Sequence, residues 1–319
     1  MKVKNLLRVL TPLALIASAS LNARAWDGSG HMLIGQIAYD RLSDKAKARV
    51  TELAAKLEKD GTPYNAVSIC CWADDIKSPV ADPRFRGLYK SWHYIDIGCS
   101  SNDPDVLAHP PTLTPTNGNV VVALPYCLNI LRTGQTNSLV PSESVALAMV
   151  MHFVGDIHQP LHTTARYNPD PKPGDKYRDD AGGNGVSVAN LDDAMWGKNL
   201  HSFWDEAYRR YYDNGQVKIS DPINHADAPD SPELMDWMKK LAPDAPPASA
   251  DLSFDVLKWA NESHAIACSQ VYGTLGAPYG ARNIILTEDY VKAGTDTARR
   301  RIVLAGYRLA ALLNDLYGK

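Results

Sequence analysis

After its first two dozen residues the 319-residue chain has no uninterrupted apolar stretch of the roughly 18 residues a membrane span needs. It has no internal repeat and no low-complexity tract. Its longest basic run is Arg299-Arg300-Arg301, inside a C-terminal helical pattern, so no segment reads as a nucleic-acid-binding arm. It has only five cysteines, Cys70, Cys71, Cys99, Cys127 and Cys268, and their spacings match no cysteine-type zinc site. Cys70 and Cys71 are adjacent, which disfavours a bond between them. These absences exclude a later membrane anchor, a solenoid and a zinc ribbon. A polyanionic ligand would have to find its positive charge mostly in bound metal.

The N-terminus carries what the rest lacks. Lys2, Lys4 and Arg8 precede an apolar run from Val9 to Leu21, followed by Ala23-Arg24-Ala25. That is the pattern of a cleaved signal peptide, residues 1–25, without a lipobox cysteine. Cleavage would leave Trp26 as the first residue of a mature chain, 26–319, read as one domain and destined for a secreted or periplasmic location. An oxidising compartment favours one or two disulfides with at least one thiol left over. The first 25 residues hold four of the 33 basic residues and none of the 36 acids, so the mature balance is 29 against 36, or −7.

Helical patterns dominate the remainder. Helices are predicted over Gly28–Leu42, from Ser43 (a good N-cap) to about Leu57, Ala66–Ile76, Val120–Leu131, about Ser142–Ile157, Asn199–Arg210, near 233–240, about Phe254–Thr274 and about Glu288–Tyr317. Ser91–Ile97 reads as extended and Val186–Leu191 as a short strand. Pro79–Gly87, Asn102–Asn119 and Tyr167–Gly185 read as loops, and 221–250 as loop apart from its one helix. The fold class is therefore mostly α, a single multi-helix domain with long loops and a little β.

One stretch organises the rest: His152-Phe-Val-Gly-Asp156-Ile-His158-Gln-Pro-Leu-His162. His152 and Asp156 lie at i and i+4 and leave one face of an apolar helix. Pro160 ends that helix and turns His162 elsewhere. Buried imidazole and carboxylate need partners. From this stretch alone a cation and a hydrogen-bonded core pair stand level. The theme recurs in His201-Ser-Phe-Trp-Asp205, Trp72-Ala-Asp74 and Trp92-His93-Tyr94. Nitrogen and oxygen donors without thiolate suit zinc better than manganese or iron.

In order along the chain, Trp26 with Gly30-His31, Trp72-Ala73-Asp74, His93-Tyr94-Ile95-Asp96, His152 to His162, Asn199-Leu-His201-Ser-x-Trp-Asp205 and Gly306-Tyr-Arg-Leu-Ala closely resemble the zinc-dependent single-strand nucleases. These are the fungal S1/P1 type, the plant bifunctional enzymes and their bacterial relatives. The resemblance implies a helical scaffold of the kind shared with zinc phospholipase C, and three zinc ions. Asp74, His93, His152 and Asp156 would hold the first, and His162, His201 and Asp205 the second. The third would take His31, a shared Asp156, and the α-amine and carbonyl of Trp26. Three divalent ions would nearly cancel the −7.

The resemblance further assigns Asp74 to orienting the attacking water and Lys77 to the developing phosphorane charge, and implies that Tyr94 stacks on a base whose edge Asp96 binds. The fungal type has Phe at the Tyr94 position. The implied activity is hydrolysis of single-stranded DNA and RNA to 5′-phosphorylated products by a monomer, with 3′-nucleotidase activity. A zinc phospholipase C-like enzyme and a non-catalytic zinc protein are the competing readings. Family disulfides suggest Cys99–Cys268, with Cys127 to Cys70 or Cys71 a weaker pairing. His158 is expected at the cleft edge or just behind the ligands, and His109, His225 and His264 as ordinary surface or core residues.

Overall fold

The computed structural model describes residues 26–77, 89–100, 114–116, 118–170, 172–173, 179–192, 198–223, 229–241 and 252–319. The expected signal peptide, the 79–87 loop, most of 102–119, His109 and His225 lie outside them.

The centre is helix α5, Glu143–Asp156, in which every residue from Ser144 onward is buried. The order before it is α1 (Gly28–Tyr39), α2 (Asp44–Ala54), β1 (Glu58–Lys59), β2 (Thr62–Pro63), α3 (Trp72–Asp75) and α4 (Val120–Thr133). After it come α6 (Leu200–Asp205), β3 (Arg210–Asp213), β4 (Gln216–Ile219), α7 (Pro232–Leu241), α8 (Val256–Ile266) and α9 (Glu288–Tyr317). Ser142 caps α5 through the Val145 amide at 3.2 Å, as Ser43, Asn119 and Thr287 cap α2, α4 and α9. Helices α1, α2, α4 and α9 all pack on α5, and α1 also crosses α9. At that crossing a Cβ on Gly306 would sit 2.4 Å from the Ile37 side chain, so only glycine permits the approach. The buried apolar residues form one contiguous cluster.

Several elements differ from expectation for reasons of tertiary structure. Ser91–Ile97 is not extended throughout: Lys90–His93 is a 3-10 turn that drives the Trp92 indole into the core against Tyr89, Tyr126 and Phe153. The Ala66–Ile76 helix splits into a 3-10 turn, Ser68–Cys71, and the short α3, with the Cys70 carbonyl taken by the His152 ring at 2.6 Å. Val186–Leu191 is no strand. Its bridges go singly to Asn199, Ile284 and Val217, so among the described residues no strand pairs with it along its length. Helix α6 stops at Asp205, and Arg210 opens the unforeseen antiparallel hairpin of β3 and β4. Asn214 and Gly215, with φ of 47° and 80°, form its turn. Beyond Ile266, α8 widens into π-helical turns over Ala267–Tyr272.

Cys99 and Cys268 are joined, with Cα atoms 5.3 Å apart. The weaker pairing is corrected: Cys70, Cys71 and Cys127 are free, buried thiols. Cys70 and Cys71 face α1, at Gly35 and at the Gly28 carbonyl, whereas Cys127 lies against Met149 of α5.

Candidate metal centre

The residues singled out from the sequence converge at the C-terminal end of α5. Asp156 is the hub. One carboxylate oxygen lies 3.2 Å from His152 Nε2 and 3.4 Å from His31 Nε2, and the other 2.8 Å from His93 Nδ1. The His31 ring, from the first turn of α1, stacks on His152 at 3.8 Å between centroids. Such closeness depends on Gly155, where a Cβ would lie 2.8 Å from His31 Nδ1. Asp74, on α3, brings an oxygen to 3.6 Å from His152 and 3.9 Å from His93. Lys77 is no solvated surface lysine: its ammonium is 2.6 Å from Asp74 and its side chain only 12 % exposed.

A second cluster, His162, His201 and Asp205, has one donor atom from each residue within 4.8 Å of the others. It is tied to the first by the chain itself. His162 Nδ1 donates to the His93 carbonyl at 2.9 Å, and Ile95 N to the His162 carbonyl at 2.9 Å. His152 and His201 likewise donate Nδ1–H to the carbonyls of Cys70 and Gly182, at 2.6 and 2.7 Å. In each of the three histidines the carbonyl holds the proton on Nδ1, so that Nε2 presents its lone pair to the cluster.

Trp26 is fully buried, and its indole donates to the Gly155 carbonyl at 3.0 Å, one residue before the hub. Asp27 anchors it. The Asp27 carboxylate accepts from Gly30 N, Tyr208 Oη and Arg209 Nε at 2.9, 2.8 and 3.0 Å, and Asp27 N donates to the Asp205 carbonyl at 3.1 Å. Tyr94 and Asp96 follow His93 and are largely but not fully buried. His158 is not at a cleft edge. It is fully buried behind α5, with Arg308 against its Nε2 at 2.8 Å. His264 lies beside the disulfide, 3.6 Å from Cys268 Sγ. Gln159 is a further residue at the centre that helical spacing does not single out. It is fully buried, and its amide donates to Asp205 at 2.6 Å while its oxygen accepts from Leu161 N. Its place between His158 and Pro160 within the ligand stretch was the available signal.

The electrostatics favour a cation among these donors. Burial pushes the Asp156 and Asp74 carboxyls up. The imidazoles around them, and Lys77 beside Asp74, outweigh burial and hold both well below the usual carboxylate range. Burial, then Lys77, pushes His93 down to about 3, and burial with neighbouring His152 lowers His31. His152 is also lowered by burial, but Asp156 and Asp74 carry it above its ordinary value. Asp205 is driven far up by burial, with Glu206, Asp74 and Asp27 adding repulsion. Both ring nitrogens of His31 and Oδ1 of Asp156 are buried without a hydrogen bond among the described residues. Buried polar atoms are normally paired, and a cation among imidazole nitrogens and carboxylate oxygens satisfies these together. The all-N/O donor set, with no thiolate, fits zinc.

Clustered imidazoles and carboxylates at the end of a buried helix form a candidate metal centre of the kind hydrolases use. The S1/P1 nuclease family pattern matches residues 26–318, and the chain belongs to that family. It is 26 % identical to Endonuclease 2 of Arabidopsis thaliana, over 94 % of this chain and 93 % of the relative. It is 25 % identical to Nuclease P1 of Penicillium citrinum, over 92 % and 98 %, and 26 % identical to Nuclease S1 of Aspergillus oryzae, over 94 % and 94 %.

Proposed function

We propose that this chain is a zinc-dependent endonuclease that hydrolyses single-stranded DNA and RNA to 5′-phosphorylated products and removes 3′-phosphates from nucleotides. The observation that carries the reading is Asp156, a buried carboxylate shared among His31, His93 and His152. Three zinc ions are assigned. Asp74, His93, His152 and Asp156 would hold one, and His162, His201 and Asp205 the second. His31, Asp156 and the Trp26 amine and carbonyl would hold the third. When bound, zinc supplies Lewis acidity to phosphate oxygens and makes water acidic enough to attack at neutral pH.

The chain's own residues do the remainder. Asp74, steadied by Lys77, orients the attacking water and accepts its hydrogen bond. Lys77 is placed to offset charge growing on the phosphorus oxygens. Tyr94 offers a ring face to an unstacked base and Asp96 an acceptor to its edge, and a base inside a duplex must first leave the stack to use them.

Residues 1–25 are assigned as a signal peptide and 26–319 as a single mature domain, monomeric and secreted or periplasmic. Among the described residues no helix is long and apolar enough to cross a membrane. Cleavage is then part of catalysis, because an amide nitrogen at Trp26 is a poor metal donor. A mature protein with its Trp26 amine chemically blocked should lose one zinc and most activity; full zinc content and activity would refute the third site. For the function itself, the mature protein should carry three zinc ions and release mononucleotides from single-stranded but scarcely from double-stranded DNA. Diacylglycerol release from lecithin would favour a phospholipase instead, and full zinc loading without phosphodiesterase activity a non-catalytic protein.

A further inference from the structure

Behind the ligand stretch lies a group of buried charged residues to which the proposed chemistry assigns no role. Helix α5 ends in the core: the Phe153, Gly155 and Asp156 carbonyls accept from the N–H groups of Ile157, His158 and Gln159, and side chains serve the neighbouring carbonyls that remain. The His158 ring donates Nδ1–H to the Val154 carbonyl at 2.7 Å. Ser263 Oγ, on α8, donates to the Ile157 carbonyl at 2.6 Å. Arg301, on α9, donates Nε–H to the His158 carbonyl at 3.1 Å and a second N–H to Ser263 Oγ at 2.7 Å. About two turns further along α9, Arg308 forks onto Glu262 at 2.7 and 2.9 Å and donates to His158 Nε2 at 2.8 Å. Trp259 lies over both the Arg308 guanidinium and the His158 ring.

His158, Ser263, Arg301 and Arg308 are each at most 5 % exposed. Buried ion pairs repay their desolvation poorly, and apolar residues of similar volume often stabilise a core as well or better. Stability is therefore a weak account of why two arginines are held here. Their partners point to another. Every contact ends on the rear of residues 154–158 or on the side chain that supports it, while the front of the same segment carries Asp156, followed by Gln159 and His162. Two guanidiniums near a helix C-terminus also complement its dipole.

We infer that Arg301, Arg308, His158 and Glu262 are positioning residues. They lock the end of α5 so that Asp156 meets its three imidazoles and Gln159 reaches Asp205. The inference rests on the zinc reading above. Its test uses the mature protein with Arg308→Met, His158→Gln and Glu262→Gln, and as control Arg49→Met, which breaks the ion pair of Arg49 with Glu143 at the opposite end of α5.

Zinc affinity is measured by competition with a chromophoric chelator well below the melting temperature, alongside kcat and KM on single-stranded DNA. The expected result for Arg308→Met and His158→Gln is a loss of about 10–100-fold in zinc affinity, with kcat falling and KM little changed. Glu262→Gln should show a smaller loss of the same kind. Arg49→Met should melt lower but bind zinc as wild type does. If the three variants melt lower yet keep wild-type zinc affinity, the group is merely structural and the inference fails. Should Arg308→Met not fold, His158→Gln and Glu262→Gln decide the matter alone. A wild-type protein that binds no zinc would overturn the zinc reading itself, and this inference with it.

Discussion

Gly155→Ala is the smallest change that tests the centre. The added methyl would stand 2.8 Å from His31 Nδ1, 2.9 Å from its Cε1 and 3.2 Å from Ile34 Cδ1, where ordinary contact begins at 3.4 Å. The imidazole must therefore shift by roughly half an ångström in an interior packed at crystal-like density. It has little space to do so, stacked on His152 at 3.8 Å and lying 3.4 Å from Asp156. Overpacking of this kind costs about 1–3 kcal/mol, which for a domain of this size lowers the melting temperature by roughly 2–10 °C. Activity should fall as well, by up to about 100-fold, the rate loss that a misplacement of about 1 Å can bring. Calorimetry, zinc content by elemental analysis and hydrolysis of single-stranded DNA on the same preparation give the three readouts. A Gly155→Ala protein with wild-type zinc content and turnover would refute the argument, because the predicted clash would then be absorbed without disturbing the ligands.

Asp96 is pushed up to about 7 by burial, with Asp179 and Asp180 adding repulsion, from an ordinary 3.8. The folded state thus binds that proton more tightly than the unfolded one, and stability falls as pH rises from about 4 to 7. Asp96→Asn should melt like wild type at pH 4 and exceed it at pH 8 by at most about 4 kcal/mol, roughly three pKa units; a gap that does not widen with pH would contradict this. Gln159→Leu removes the donor to Asp205 and should weaken zinc binding about 10–100-fold, read by chelator competition; unchanged affinity would count against its supporting role. Stripping metal with EDTA should abolish hydrolysis and lower the melting temperature, and added zinc should restore both, since a ligand at 100 times its dissociation constant stabilises by about 2.7 kcal/mol per site. Magnesium restoring activity where zinc does not would contradict the donor chemistry.

The helices legible in the sequence are those whose ends carry local chemistry. Helix α9 runs from the residue after its Thr287 cap to Tyr317, and α5 begins one residue after Ser142. The hairpin of β3 and β4 was also within reach, since Asn214-Gly215 is a strong short-range turn signal. The helical pattern of residues 199–210 runs straight into it and masks it. The strand assigned to Val186–Leu191 failed for the opposite reason: strand content was present, but pairing is non-local, and among the described residues no strand pairs with it along its length. At the centre, spacing paired His152 with Asp156 and His201 with Asp205. The assembly of the wider donor set came from ordered motifs shared with a family, not from periodicity.

The sequence by itself determined which donors exist, which of them share a helix face, and that the helix between them is buried, because helical spacing and apolar content are local properties. Only the tertiary structure decided that His31 stacks on His152, that His162 hangs from the His93 carbonyl, that Gln159 serves Asp205, and that Arg308 stands behind Asp156 rather than in solvent. Those contacts join residues tens to more than a hundred positions apart. Packing chooses such partners, and no local pattern along the chain encodes them.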